Sequence, residues 1–322
     1  MKPRQLAAGA RRRASWISRA LVIAALALGA VPACTTGGPG QDPDPPISLT
    51  VMVWNIWHGG RHDGEEGIDR VIEIIREADP DVAFIIETYG SGETIAAELG
   101  RTLVMHDPGN PRDNLSILTR FDVVDTPAPW RGFHDLAAVI DVPGLGHVAV
   151  CAVWLSYAAE IWEPGTRERY TISQMLSQVE QSSLPELRGI LGTLDERLGT
   201  TPPVHTLVGG DFNSMSHLDY APHAVGQHGA VIAWPVSMLM AQRGFEDAYR
   251  VVHPRPDRAA DRTWSPRFPE QEQDRIDYLH VRSPTLRPVR ARVLDTHPVL
   301  FPSDHAALVF ELHAERVAKT GG

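Results

Sequence analysis

From about residue 48 onward, short apolar runs alternate with helical patterns along the chain. Runs of four to eight residues rich in Val, Ile and Leu, bounded by Gly, Pro, Asn or Asp, read as strands. They predict strands over 49–54, 82–87, 116–119, 137–142, 148–155, 204–209, 276–282, 288–295 and 306–312. The clearest helix is predicted over 66–78, where Ile68, Val71, Ile72 and Ile75 share one face and Asp79-Pro80 ends it. A second helical region covers 172–198, with Pro185 expected to split it. Several strands follow one another with no helix between them, which argues against a simple doubly wound parallel sheet. Two mostly antiparallel sheets packed on each other, with helices outside, fit the pattern.

The first 34 residues follow a different logic. Arg11, Arg12, Arg13 and Arg19 precede an apolar stretch at 20–31, and Pro32, Ala33 and Cys34 follow it. That is the layout of a secretory signal, with an apolar stretch too short for a comfortable membrane span. "Val31-Pro-Ala-Cys34" resembles a bacterial lipobox, in which the cysteine becomes the lipidated first residue. The resemblance implies a membrane anchor at Cys34; the alternative is a plain signal and a secreted chain. Residues 35–47, rich in Gly, Pro, Thr and Asp, read as a flexible tether. The globular body then occupies 48–313, with a tail at 314–322. Removing residues 1–34 takes away six basic residues and no acidic ones, so 24 basic residues face 40 acidic ones and the net charge is −16. Such a body has no global attraction for polyanions, although a bound cation would invert the field at a site. Cys151 is the only cysteine left in the body, so no disulfide framework is expected.

Five polar clusters sit at the ends of the predicted strands. Asn55 follows "VMVW", Glu87 closes "FIIE", and Asp211 and Asn213 follow "LVGG". Asp277 lies in "DRIDYLHV", and Asp304-His305 precede the last strand. Singly, each fits a turn, a cap or an exposed strand end. Together, and in this order, they point to a shared site.

In these residues the chain resembles the endonuclease/exonuclease/phosphatase superfamily, the DNase I-like fold, over about residues 48–313. The motifs are Trp54-Asn55, the Glu87 of "IIET", "NLSILTR" at 114–120, "GGDFNS" at 209–214, "RIDY" at 275–278 and "SDH" at 303–305. The resemblance implies an α/β fold, a four-layer sandwich of two mostly antiparallel β-sheets flanked by helices. It also implies hydrolysis of phosphate esters with a divalent metal, usually Mg²⁺, with Mn²⁺ or Ca²⁺ as substitutes. Glu87 would be the principal metal ligand, with Asn55 and Asp304 nearby. Asp211 would orient and deprotonate the attacking water, and Asn213 would donate to the phosphate or the nucleophile. His305 would meet the charge that gathers on a non-bridging oxygen, held as imidazolium by Asp277. Substrates in the superfamily range from DNA and RNA to sphingomyelin, inositol phosphates and other small phosphoesters.

One part of the pattern departs. Members usually carry another histidine at the end of a mid-chain strand, in a segment like "NTHLD". The corresponding stretch here is "VAVCAVWLSYAAE", which has none. Trp154, Ser156 and Tyr157 are the candidates for its place, and His58, three residues beyond Asn55, is another donor. His62 and His134 are more remote candidates, and His58 with His62 would make only a weak zinc pair. Of Trp57, Trp130, Trp154, Trp162 and Trp264, no more than two are expected at the substrate. Arg61, Arg112, Arg131 and Arg167 lie in predicted loops and are candidates for clamping phosphate. Gly209 and Gly210 are expected to let backbone and substrate come close. The resulting expectation is an extracytoplasmic metal-dependent phosphoesterase, membrane-anchored or secreted, acting on a small-molecule or lipid headgroup phosphoester. A nuclease binding nucleic acid is the alternative among enzymes, and a noncatalytic binding lipoprotein on the same scaffold is the alternative outside them.

Overall fold

The computed structural model describes residues 46–200 and 202–314. The signal segment, Cys34, nearly all of the tether and the tail beyond Ala314 lie outside the described residues. Twelve strands are present among the described residues: β1 (Ile47–Asn55), β2 (Val82–Ile86), β3 (Thr102–Val104), β4 (Leu115–Thr119), β5 (Asp122–Asp125), β6 (Asp135–Val142), β7 (Gly146–Trp154), β8 (His205–Asp211), β9 (Glu246–Asp247), β10 (Asp277–Arg282), β11 (Arg287–Leu294) and β12 (Ala307–Ala314). They form two six-stranded sheets, ordered β11-β12-β1-β2-β4-β3 and β5-β6-β7-β8-β10-β9.

Alternation along the strands explains the layering, because successive side chains leave a strand on opposite faces. Val51 and Val53 of β1, with Phe84 of β2, join Val150 and Leu207 in the core between the sheets. Met52, Trp54 and Ile85 point the other way, against Ile68, Val71, Ile72 and Ile75 of helix α1 (Glu66–Ala78) and Ile95 of helix α2 (Gly92–Leu99). On the outer face of the second sheet, Cys151, Val153 and Val208 pack against helices α3 (Ile172–Gln181) and α4 (Ser183–Leu198). The result is helix, sheet, sheet, helix. Helix α1 ends where expected, with Asp79 in the left-handed region (φ 44°) and its N–H bonded to the Ile75 carbonyl. No described helix is long and apolar enough to cross a membrane.

The two sheets share a design that places the site. In each, four of the five pairings are antiparallel and one central pair is parallel: β1 with β2, and β7 with β8. A parallel pair needs a crossover, supplied by α1 in one sheet and by α3 and α4 in the other. Both strands of each pair therefore end at the same edge. Asn55 and Glu87 sit at that edge of the first sheet, and Trp154 is in register with Asp211 at that of the second.

Three details differ from the sequence-based expectation. The helical region 172–198 does break, but at Ser182 (φ −121°, ψ −89°), and Pro185 lies in the first turn of α4. Proline is tolerated there because first-turn N–H groups have no intrahelical acceptor. The short strands β3, β5 and β9 were not foreseen; the first two carry little buried apolar alternation and the third has only two residues. Gly209 and Gly210 serve packing rather than substrate approach. A Cβ on Gly209 would lie 2.7 Å from Phe84 across the sheet interface, and one on Gly210 would lie 1.9 Å from the Val153 carbonyl oxygen.

Candidate active site

The strand ends deliver their polar residues to one cleft of about 530 Å³. Glu87, Asp211, Asn213, Asp304 and His305 line it. Among the described residues, five of the six non-glycine residues with positive φ also gather here: Trp57, His58, Glu87, Tyr89 and Asn213. Such backbone costs on the order of 1–3 kcal/mol per residue and persists only where surroundings enforce it.

Asn55 is the joint between two carboxylates. Its Nδ2 donates to Glu87 Oε1 at 3.1 Å and to Asp211 Oδ2 at 3.2 Å, while its Oδ1 accepts from the Trp57 N–H at 3.0 Å. Glu87 Oε2 accepts from the His58 N–H at 3.0 Å. The left-handed turn at Glu87 is pinned by Asn114, whose Oδ1 accepts the Glu87 N–H and whose Nδ2 donates to the Phe133 carbonyl. Asp211 Oδ1 accepts the Asn213 N–H at 2.9 Å. The Asn213 side-chain amide donates to the Leu155 carbonyl at 2.8 Å and to Asp211 Oδ2 at 3.3 Å. In this arrangement Asn213 braces Asp211.

A buried relay runs from Asp277 through His305 to Asp211. His305 Nδ1 is 2.9 Å from Asp277 Oδ2, and its Nε2 is 3.8 Å from Asp211 Oδ2. Asp277 and Asp211 are directly opposed in the β8–β10 ladder, so sheet register sets the spacing. The rest of "RIDY" holds the strand in place. Arg275 is buried between Asp219 and Asp247, and the Tyr278 hydroxyl donates to the Arg275 carbonyl. Ser303 ties the two sequence ends of the site together: its hydroxyl accepts the His305 N–H and donates to the Asn55 carbonyl.

Electrostatics follow from burial and neighbours. Burial pushes the Asp211 carboxyl up to about 8, with the His305 charge opposing and Asp277 adding to the rise. Burial alone would depress His305, but Asp277 and Asp211 hold it well above the usual imidazole range. Burial also raises Asp304 to about 6; His305 opposes this and the negative charge of Glu87 reinforces it. Among the described residues, Asp304 Oδ1 is buried without a hydrogen-bond partner, as is Asp277 Oδ1; of the two residues, Asp304 lines the cleft. Two carboxylates facing one cleft, one of them with an orphaned oxygen, are oxygen donors suited to a hard divalent cation. Asp211, Asp277 and His305 also bring ligand atoms within 4.8 Å of one another. There the imidazolium already supplies the positive charge, so the donor chemistry favours the Glu87 and Asp304 side, with Asn55 adjacent.

The remaining sequence candidates are distributed unevenly. Trp154 and Tyr157 line the cleft, as does His58, whose Nδ1 is 4.0 Å from Glu87 Oε2. Ser156 does not: its hydroxyl and its N–H both donate to the Glu186 carboxylate at 2.9 Å. His62 stacks on Trp57 with centroids 3.3 Å apart, and His134 Nδ1 bonds to the Trp154 carbonyl oxygen. Four of the five tryptophans considered, all but Trp130, line the cleft. None of Arg61, Arg112, Arg131 and Arg167 does; Arg167 instead is paired with Asp274 and Glu272. The bracing roles of Asn114 and Ser303 were missed, although both lie inside the recognised motifs.

A family model described as Endonuclease/Exonuclease/phosphatase family matches residues 52–305. A relative in Caenorhabditis elegans, the uncharacterized protein F14F9.5, is 24% identical over 253 residues, covering 74% of this chain and 80% of its own. Truncated Caenorhabditis elegans TDP2 superimposes with a TM-score of 0.56 at 19% identity, over 83% of this chain and 98% of that one. D. rerio TDP2 complexed with single strand DNA product gives a TM-score of 0.56 at 14% identity, over 82% and 98% of the two chains.

Proposed function

Because the chain belongs to the endonuclease/exonuclease/phosphatase family, we propose that it is a metal-dependent phosphoesterase that hydrolyses a small or lipid-derived phosphate ester by in-line attack of water. The observation that carries this reading is the Asp277–His305–Asp211 relay opening onto the same cleft as Glu87 and Asp304. A binding protein has no use for a buried, charged relay of this kind.

Each side chain has a task in the hydrolysis. Asp211, braced by Asn55 and Asn213, orients the water and takes its proton through Oδ2. His305 presents Nε2–H to the non-bridging phosphoryl oxygen, where charge accumulates. Asp277 fixes the ring through Nδ1 and keeps it cationic. Glu87, Asp304 and Asn55 would hold the divalent cation. When bound, that ion polarises the phosphoryl oxygen and stabilises the leaving alkoxide.

The cleft supports a compact substrate over a polymer. Among the described residues no lysine or arginine lines it, whereas affinity for a run of phosphates comes largely from such cations. A nuclease remains the second reading, favoured by the likeness to the TDP2 structure with a single strand DNA product. A phosphate-release screen with Mg²⁺, Mn²⁺ and Ca²⁺, with and without EDTA, tests the main reading, and plasmid nicking run beside it tests the second. Release from small esters that EDTA abolishes is the expected result; release unaffected by EDTA would refute metal dependence. We also propose an extracytoplasmic location with an anchor at Cys34, supported by the basic, apolar and cysteine order at 11–34. The mass of the mature N-terminal peptide tests it.

The relay has a pH signature. Asp277→Asn removes the carboxylate that raises His305, so the imidazolium loses its proton at lower pH. The alkaline limb of the kcat profile should move toward acid, and kcat at neutral pH should fall roughly 10²-fold, with melting temperature little changed. Unchanged kinetics would sink the assignment of Asp277.

A further inference from the structure

One wall of the cleft is not needed by the hydrolysis. Beside His305, Trp264 lies edge-on to the imidazole with centroids 5.0 Å apart. Both Phe268, at 6.0 Å and 46°, and Trp162, at 6.4 Å and 59°, neighbour Trp264 with their planes turned against its own. These rings form an angled aromatic corner that begins at the reacting site. Three exposed carboxylates, Glu160, Glu163 and Glu270, line the same cleft. One of them is locked to the corner: Trp264 Nε1 donates to Gln271 Oε1 at 3.0 Å, and Gln271 Nε2 donates to Glu163 Oε1 at 2.6 Å. Trp162 is only 7% exposed, yet its Nε1 has no partner among the described residues. Trp57 takes no part, since His62 stacks on it and Arg267 lies over its ring.

Three carboxylates near an anionic phosphoester would repel it unless the substrate carries positive charge nearby. Aromatic faces attract cations through the ring quadrupole, and quaternary ammonium groups, having no N–H to donate, are recognised in this way. We propose that Trp162, Trp264 and Phe268, with Glu160, Glu163 and Glu270, form a subsite for an alkylammonium group carried on the substrate's phosphoester. This rests on the phosphoesterase reading above and names the class of ester that the site accepts. The ammonium sits in the aromatic corner while the phosphorus lies between Asp211 and His305.

A matched pair of substrates isolates the charge. p-Nitrophenyl phosphorylcholine and its carbon isostere, p-nitrophenyl 3,3-dimethylbutyl phosphate, differ only in a trimethylammonium against a tert-butyl group. With Mg²⁺ present, kcat/KM should favour the choline ester by roughly tenfold or more. Glu163→Gln should lower that ratio several-fold through KM while leaving turnover of the isostere intact. Calorimetric titration of phosphorylcholine against 3,3-dimethylbutyl phosphate should show the same preference. Equal values for the two members of each pair would overturn the subsite and leave the phosphoesterase reading standing. A binding preference for phosphorylcholine, lost in Glu163→Gln, with no hydrolysis of either ester would uphold the subsite and overturn the catalytic reading. Comparing the soluble choline ester with phosphatidylcholine vesicles then separates a free source of the group from a lipid-borne one.

Discussion

Asp211→Ala lowers kcat by about 10³-fold, equivalent to roughly 4 kcal/mol of transition-state stabilisation, while the protein remains folded. The reasoning starts from what Asp211 contacts. Its Oδ2 lies within reach of Asn55 Nδ2 and Asn213 Nδ2 and 3.8 Å from His305 Nε2, at the edge where the cleft opens. Asp277, the other carboxylate in the relay, is fully buried behind the far side of the ring and does not line the cleft, so it is not placed to take a proton from water. Alanine deletes the base but leaves His305 balanced by Asp277, so no unpaired charge is buried. Burial disfavours the Asp211 carboxylate, so alanine relieves a desolvation cost that offsets part of the loss of its hydrogen bonds to Asn55 and Asn213. Initial rates of phosphate release and a thermal melt check both halves. A kcat within tenfold of the parent would show that another group activates the water.

Glu87→Gln is expected to shift the Mg²⁺ activation curve by about 10²-fold or more in concentration and to reduce saturating activity by a similar factor. Glu87 and Asp304 line the same cleft, and Asp304 keeps a buried oxygen without a partner among the described residues. Removing one of two anionic oxygen donors weakens a hard-cation site more than any neutral contact would. A readout independent of turnover is available. A ligand that binds only the native state raises stability by RT ln(1 + [L]/Kd), about 2.7 kcal/mol at a hundredfold excess over Kd. The parent should melt at a higher temperature in Mg²⁺ than in EDTA, and the variant should show little difference. Equal Mg²⁺ stabilisation in both proteins would place the ion elsewhere.

Much of the site was legible before any coordinates because its residues terminate strong strand patterns. Asn55, Glu87, Asp211 and Asp304-His305 each adjoin an apolar run that reads as a strand, and a polar residue closing such a run stands out against the pattern. Helix α1 was legible for a related reason: Ile68, Val71, Ile72 and Ile75 on one face and a stop at Asp79-Pro80 are local facts. Ser156 shows where such reasoning stops. With Trp154 and Tyr157 it is a sequence candidate for the missing histidine's place, but β7 ends at Trp154, and the Ser156 hydroxyl turns to Glu186 on α4. Glu186 is thirty residues away in sequence, and nothing local announces the contact. Asn114 and Ser303 stood inside recognised motifs, but their bracing bonds to Glu87, His305 and Asn55 also join distant segments.

The amino-acid order alone determined the strand and helix periods, the strand-end chemistry and the family resemblance, since each depends on neighbours a few residues apart. Tertiary structure decided how those ends meet. Register between β8 and β10 set Asp277 opposite Asp211, and the two parallel pairs brought Asn55 and Glu87 to face Trp154 and Asp211. It also assembled the aromatic and acidic wall from the 157–163 and 264–271 segments, which carry no periodic signal because loops are ordered by what they touch. Catalytic residue types were written into the chain; the charge, shape and neighbours of the cleft emerged only when the two sheets packed together.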